Sequence, residues 1–236
     1  MKTLFRFFVI FQVVTGLMAC STVGKINSKN EPKVWIETTE GTIVVKLYNE
    51  TSLHRDNFVK LVKQKFYDGV LFHRVIADFM IQGGDPDSKS AKPDVELGNG
   101  DVGYTIPAEF RTPAIYHKKG ALAAARTGDS ENPTKASSGC QFYIVEGKIF
   151  TDAELDKMQA NKIARFGVND STYKFSANAR NDYKTIGGTP HLDGNYTVFG
   201  EVIKGIHVVD KISKVKTNAL DRPIEDVRIK KMRMIK

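Results

Sequence analysis

The chain reads as a mainly β fold, closed or sandwiched, and three observations predict it. Short runs rich in β-branched and aromatic residues recur along its length, loops rich in Gly, Pro, Asn and Asp separate them, and helical periodicity is confined to a few short stretches. With 236 residues, 41% of them hydrophobic, the chain can bury one large core or two small ones.

The elements follow in order. Val34 to Thr39 and Thr42 to Leu47 flank Glu40-Gly41 and predict a hairpin. From Asp56 to Tyr67, Phe58, Leu61, Val62 and Phe66 fall at i, i+3, i+4 and i+8, a single helical stripe, and Tyr67-Asp68-Gly69 supplies its stop. Strand-like runs then occupy Val70 to Ile76, Phe79 to Gln82, Gly120 to Ala125, Gln141 to Val145, Thr197 to Ile203 and Val227 to Ile235, with a second helix from Ile206 to Ile212. One block stands apart. Within Lys148 to Thr189, Thr151-Asp152-Ala153-Glu154 is a capping box, and Leu155, Met158, Ile163 and Phe166 share one helical face. The rest, Gly167 to Lys184, degenerates into a polar stretch, so 148–189 reads as a partly helical insertion.

The N-terminus carries a different kind of signal. Lys2 and Arg6 precede an apolar run from Phe7 to Ala19, 13 residues long. A membrane-spanning helix needs about 20 apolar residues and a secretory signal about 7 to 15, so residues 1–19 read as an export signal. Leu17-Met18-Ala19-Cys20 resembles the lipobox of bacterial lipoproteins, in which cleavage falls before the cysteine and its thiol is acylated. On this reading Cys20 is the lipid anchor, 20–32 is a tether, and the protein sits on the bacterial cell envelope facing the periplasm. Cys140 then has no partner for an intrachain disulfide, since the chain holds two cysteines in all. Loss of Lys2 and Arg6 takes the formal charge from +8 to +6, and nucleic acid is not expected as a partner of an exported domain.

The chemistry is concentrated in Tyr67 to Asp85, Y-D-G-V-L-F-H-R-V-I-A-D-F-M-I-Q-G-G-D. This segment resembles the cyclophilin signature. Three further stretches match in the family's order: Gly120 to Arg126, Ser138 to Ile144 and His191 to Gly200. The resemblance spans Lys33 to Lys236 apart from the insertion. It implies a closed eight-stranded antiparallel barrel capped by two helices, acting as a peptidyl-prolyl cis-trans isomerase (rotamase) on proline-containing segments of exported proteins, with no cofactor.

The reaction makes modest chemical demands. Rotation about a peptide C–N bond costs about 18–20 kcal/mol because it breaks amide resonance. In the twisted transition state the proline nitrogen regains a lone pair, so a catalyst needs a fixed donor there and a dry pocket holding the ring. Arginine suits the first role, being a permanent multi-donor. By resemblance Arg74 is the catalytic arginine, and Gln82 holds the substrate backbone and helps to orient it. Phe79, Met80, Tyr143 and Leu192 line the proline pocket with Tyr196 at its edge, while Ala125, the main chain of Arg126 and Gln141 grip the residues before the proline. Taken without the family, Phe79, Met80 and Leu192 are ordinary core residues.

Other residues carry weaker expectations. His73 reads as a structural histidine satisfied by local hydrogen bonds, and the five histidines show no metal-ligand spacing, so no metal site is expected. His191 occupies the position held by tryptophan in cyclosporin-sensitive cyclophilins, which implies weak cyclosporin binding. Tyr143 replaces a frequent phenylalanine and adds a hydroxyl that needs a partner. A rival function is a proline-segment-binding chaperone, or an envelope interaction module, with little turnover. The insertion ends immediately before His191-Leu192, so it either shapes access to the pocket, docks a client, or is a tolerated embellishment.

Overall fold

A computed structural model describes residues 31–93, 95–166 and 174–236, with side chains for all of these except 163–166. The export signal, Cys20 and most of the tether lie outside the described residues. The predicted hairpin is present as β1 (Lys33–Thr38) and β2 (Thr42–Leu47), with Val34 opposite Val45 and Ile36 opposite Ile43. Alternation explains its faces: Val34 and Ile36 are wholly buried, while Lys33, Trp35 and Glu37 lie partly exposed on the other side. Upstream, Pro32 accepts from the Leu47 amide at 2.9 Å and Glu31 pairs with Lys46 at 3.1 Å.

The hairpin joins β3 (Phe72–Ile76), β4 (Met80–Gly83), β6 (Ala121–Ala124), β8 (Phe142–Val145), β9 (Val198–Lys204) and β10 (Ile229–Ile235). These eight form one antiparallel sheet in the order β10-β1-β2-β9-β6-β8-β4-β3, and β5 (Thr105–Ile106) pairs separately with β7 (Ser137–Ser138). The sheet curls on itself, but the closed barrel expected from the sequence is not completed by a continuous ladder. At the seam, Gly69 N–H donates to Ile229 O, Ile229 N–H to Val70 O and Phe72 N–H to Val227 O, all at 2.8–2.9 Å. Beyond Phe72 the free edge of β3 is taken by a loop instead, with Val75 N–H donating to Asp221 O at 2.8 Å.

Ile43, Leu47, Ile81, Leu122, Phe142, Ile144 and Phe199 fill the interior. Helix α1 (Ser52–Lys63) adds Phe58, Leu61 and Val62 to this core, and α4 (Ile206–Ile212) adds Val208, Val209 and Ile212. Each such side chain contributes about 1.5–3 kcal/mol on burial.

Helix α1 begins four residues earlier than the apolar stripe predicts and ends before Phe66, because polar residues set its limits. The His54 imidazole is buried between Glu109 (Nδ1 to Oε2, 2.7 Å) and Ser137 (Nε2 to Oγ, 2.9 Å). Glu109 also accepts the Leu53 and His54 amides, so a carboxylate from a distant loop satisfies the helix's first turn. Lys65, at φ 57°, ends the helical path.

Among the described residues the insertion holds two helices. The capping box opens α2 (Asp152–Phe166) as predicted, Thr151 N–H donating to Glu154 at 2.8 Å, and Leu155 is buried. The side chains of Ile163 and Phe166 lie outside the described residues. The polar stretch is not structureless, as α3 (Ala177–Thr185) forms within it, capped by Ser176. Ala179 and Tyr183 are its buried residues, too narrow a stripe to register as periodicity, and Arg180 and Lys184 tie it to Asp152 of α2. Phe150, Leu155, Phe175, Ala179 and Tyr183 make a separate small core.

The turn after β4 depends on glycine. Gly84 has φ +105°, and a Cβ there would fall 2.3 Å from the Cys140 carbonyl oxygen. Gly84→Ala is expected to cost about 1–3 kcal/mol and to lower Tm by about 2–4 °C per kcal/mol, read by circular dichroism. An unchanged Tm would contradict this close approach.

Candidate active site

The β3–β4 hairpin sets Arg74 directly opposite Gln82, so both side chains stand on one face of the sheet. They border a cleft of about 370 Å³. Its apolar part is built from Met80 on β4 and Tyr143 on β8, which are buried, together with the partly exposed Phe79 and Leu192. Tyr196 stands edge-on to Tyr143, their rings 6.1 Å apart and 80° inclined, and Ala125 and Arg126 complete the rim. The structure therefore gathers nine of the ten residues singled out for chemistry or peptide binding around one recess.

The tenth, Gln141, lies in an adjoining recess of about 560 Å³ that shares Gln82, Ala125 and Arg126 with the first. Its amide is fully engaged: Nε2 donates to Gly98 O and Gly100 O, both at 2.8 Å, and Oε1 accepts from Gln82 Nε2 at 3.0 Å. Gln82 thus bonds Gln141 rather than Arg74, which corrects the expectation that it orients the arginine. Its own Oε1 makes no hydrogen bond among the described residues, and Gln82 lines the cleft.

Arg74 is held loosely. Its Nε lies 3.5 Å from Asp221 Oδ2, with both side chains 43% exposed. Asp221 belongs to the loop between α4 and β10, and Asn218, Leu220 and Arg222 from the same loop also line the cleft. No local signal marks this polar, aperiodic segment. It is fastened by the buried Arg222, which donates to Lys92 O and Val95 O.

Arg126 is the opposite case. Its guanidinium is 3% exposed, donates to Asn195 O at 2.8 Å, pairs with Asp129 at 2.7 Å and lies 4.5 Å over the Tyr196 ring. That side chain braces the rim. Its main-chain N–H and C=O make no hydrogen bond among the described residues.

A family model described as cyclophilin type peptidyl-prolyl cis-trans isomerase/CLD matches residues 33–234. The chain belongs to the cyclophilin family. A Staphylococcus haemolyticus protein assigned by name as a peptidyl-prolyl cis-trans isomerase is 35% identical over 201 residues, covering 85% of this chain and 89% of the relative. A Streptococcus pyogenes protein, assigned as a bifunctional phosphatase and peptidyl-prolyl cis-trans isomerase, is 36% identical over 84% of this chain and 37% of its own length. The crystal structure of a cyclophilin from Cryptosporidium parvum superposes with a TM-score of 0.60 at 21% identity, over 88% of this chain and 99% of that one, and shows the shared fold.

Three histidine and tyrosine positions in and beside the site bear on the expectations drawn from the sequence. His191, although exposed, stacks against Phe79 with ring centroids 5.6 Å apart at 30°, and partial desolvation there lowers its imidazole below the ordinary value. The Tyr143 hydroxyl finds its partner in His117 Nε2 at 3.0 Å. His73 is buried but makes no local hydrogen bond: neither ring nitrogen has a partner among the described residues. The expectation of a histidine satisfied by local hydrogen bonds is not met: the Leu71 backbone is near enough to act on the ring, but no contact reaches hydrogen-bond geometry.

Proposed function

We propose that this cyclophilin is an envelope isomerase that accelerates rotation of X-Pro bonds in exported proteins, with Arg74 as the catalytic donor. The observation that carries the reading is a half-exposed guanidinium at the rim of an apolar recess, opposite a glutamine that lines the same recess. A surface ion pair such as Arg74–Asp221 is worth about 0–1 kcal/mol, so a substrate releases the arginine at little cost.

The proline ring enters among Met80, Phe79, Tyr143 and Leu192, which exclude water. Gln82 Oε1 and the open main chain of Arg126 hold the peptide on the near side. Arg74 then donates to the proline nitrogen as its lone pair returns in the twisted state, which stabilises the transition state more than either ground state. No proton is lost and no covalent bond forms. A protein that merely holds proline segments needs the recess but not the arginine.

The test is exchange spectroscopy on a short X-Pro peptide, where the protein is expected to speed cis-trans interconversion from tens of seconds to well below one second. An unaltered exchange rate would overturn the enzymatic reading. For cyclosporin, the loss of an indole at His191 is expected to leave binding weaker than micromolar, and a sub-micromolar Kd by calorimetry would contradict that. Support for the envelope location comes from the lipobox at Leu17 to Cys20. Bacteria expressing the full chain are expected to incorporate labelled fatty acid into it, and Cys20→Ser to abolish the label.

A further inference from the structure

The insertion reaches the proline pocket through one carboxylate. Asp193, buried and adjacent to the pocket residue Leu192, accepts at Oδ1 from the His117 amide and from His117 Nδ1–H, both at 2.9 Å. Its Oδ2 accepts from the hydroxyl of Tyr183, on α3, at 2.6 Å. A ring that gives its Nδ1 proton to a carboxylate keeps Nε2 bare in the neutral form, and this Nε2 faces the Tyr143 hydroxyl at 3.0 Å. With that tautomer the Tyr143 O–H donates to His117, and the two rings stack at 11° with centroids 6.1 Å apart.

Helix α2 grips the same residue from another direction, Lys162 donating to the Asp193 carbonyl. Around this carboxylate, Tyr116 donates to Asp182 of α3 at 2.7 Å and its ring meets Tyr183 edge-on at 5.7 Å. Gly188 makes the approach possible, since a Cβ there would strike the His117 carbonyl at 2.3 Å and the Tyr183 ring at 2.6 Å. A surface embellishment would have no reason to send a buried hydroxyl onto the carboxylate that orders the pocket floor.

We propose that Tyr183 is a positioning residue for the proline pocket, acting through Asp193 and His117 to fix the Tyr143 ring. The proposal rests on the reading of Tyr143 as pocket floor. It makes the insertion a working part of the site, since the pocket wall at Leu192 and the floor at Tyr143 are referenced to α3 through a continuous hydrogen-bond chain. Tyr→Phe exchanges remove hydroxyls and keep every ring, so they test the chain and not the packing.

The experiment compares kcat/KM for X-Pro exchange in the wild type, Tyr143→Phe, Tyr183→Phe and the double variant, at a temperature where melting curves show all four folded. Loss of one buried hydrogen bond is expected to lower kcat/KM about threefold to tenfold in each single variant. The double variant is expected to match Tyr143→Phe alone, because the chain has then lost its terminus. A Tyr183→Phe rate equal to wild type, or losses that multiply in the double variant, would overturn the proposal while leaving the isomerase reading intact. A wild type without activity would remove that reading first. Should a variant fail to fold, two-bond 1H–15N correlation on the wild-type His117 ring decides the chain's direction. A proton on Nδ1 and a bare Nε2 are expected, and a proton on Nε2 at neutral pH would overturn it.

Discussion

Arg74→Ala is expected to lower kcat/KM for X-Pro exchange by about 10²–10³-fold, the loss usual for a preorganised donor aimed at developing charge. The size follows from where the charge appears. The ground-state nitrogen shares its lone pair with the carbonyl and offers nothing to a donor, whereas the twisted nitrogen does, so the interaction is spent almost wholly on the transition state. The substitution therefore acts on kcat more than on KM. Stability is expected to stay near wild type, since the side chain is 43% exposed and its ion pair with Asp221 is a weak surface contact. Arg74→Lys keeps the charge but loses the planar fork and is expected to recover little of the activity. Asp221→Ala, which frees the guanidinium, is expected to stay within a few-fold of wild type. Exchange spectroscopy with melting curves on each variant checks all three. An Arg74→Ala protein as active as wild type would remove Arg74 from the mechanism.

Why the recess was visible in the sequence, and parts of its frame were not, comes down to the range of the interactions. The stretch from Tyr67 to Asp85 encodes a hairpin, and a hairpin places Arg74 opposite Gln82 by local register alone. Strand alternation at Val34 and Ile36 is equally local. The start of α1 is different, because it is set by Glu109, 55 residues from His54, and no apolar periodicity records a carboxylate arriving from elsewhere. Helix α3 escaped for a related reason: its hold on the protein is a hydroxyl to Asp193 and ion pairs to α2, in a sequence that reads as merely polar. The Asp221 loop meets Arg74 through the open seam of the barrel, a feature of tertiary closure. In the same way Gln82 turned to Gln141 and not to Arg74, a choice between two neighbours that spacing alone leaves open.

His73 is expected to make the protein acid-sensitive. It is 3% exposed and its ring nitrogens have no partner among the described residues. Burial, against the pull of Asp85 and of the nearby Leu71 backbone and with the cations Arg74 and Arg222 adding to it, pushes the imidazole down to about 4 from 6.5. Above pH 6.5 the ring is neutral in both folded and unfolded chains and has no effect on stability. Between 6.5 and 4 the unfolded chain binds a proton that the folded one refuses, so stability falls as pH falls, by about 1.4 kcal/mol per unit and roughly 3 kcal/mol in all. Below pH 4 the folded ring protonates too and the loss levels off. His54, also held low by burial, tilts the curve the same way, the exposed His191 only weakly, while Glu146, whose carboxyl burial pushes up, tilts it back. His73→Leu isolates the one contribution, because an imidazole without hydrogen bonds leaves no orphaned partner when an apolar side chain replaces it. Urea unfolding at pH 7 and pH 4 is expected to show the variant losing about 3 kcal/mol less than wild type across that interval. Parallel losses in the two proteins would mean that His73 is solvated or paired in the folded state, and that the acid limb belongs to other groups.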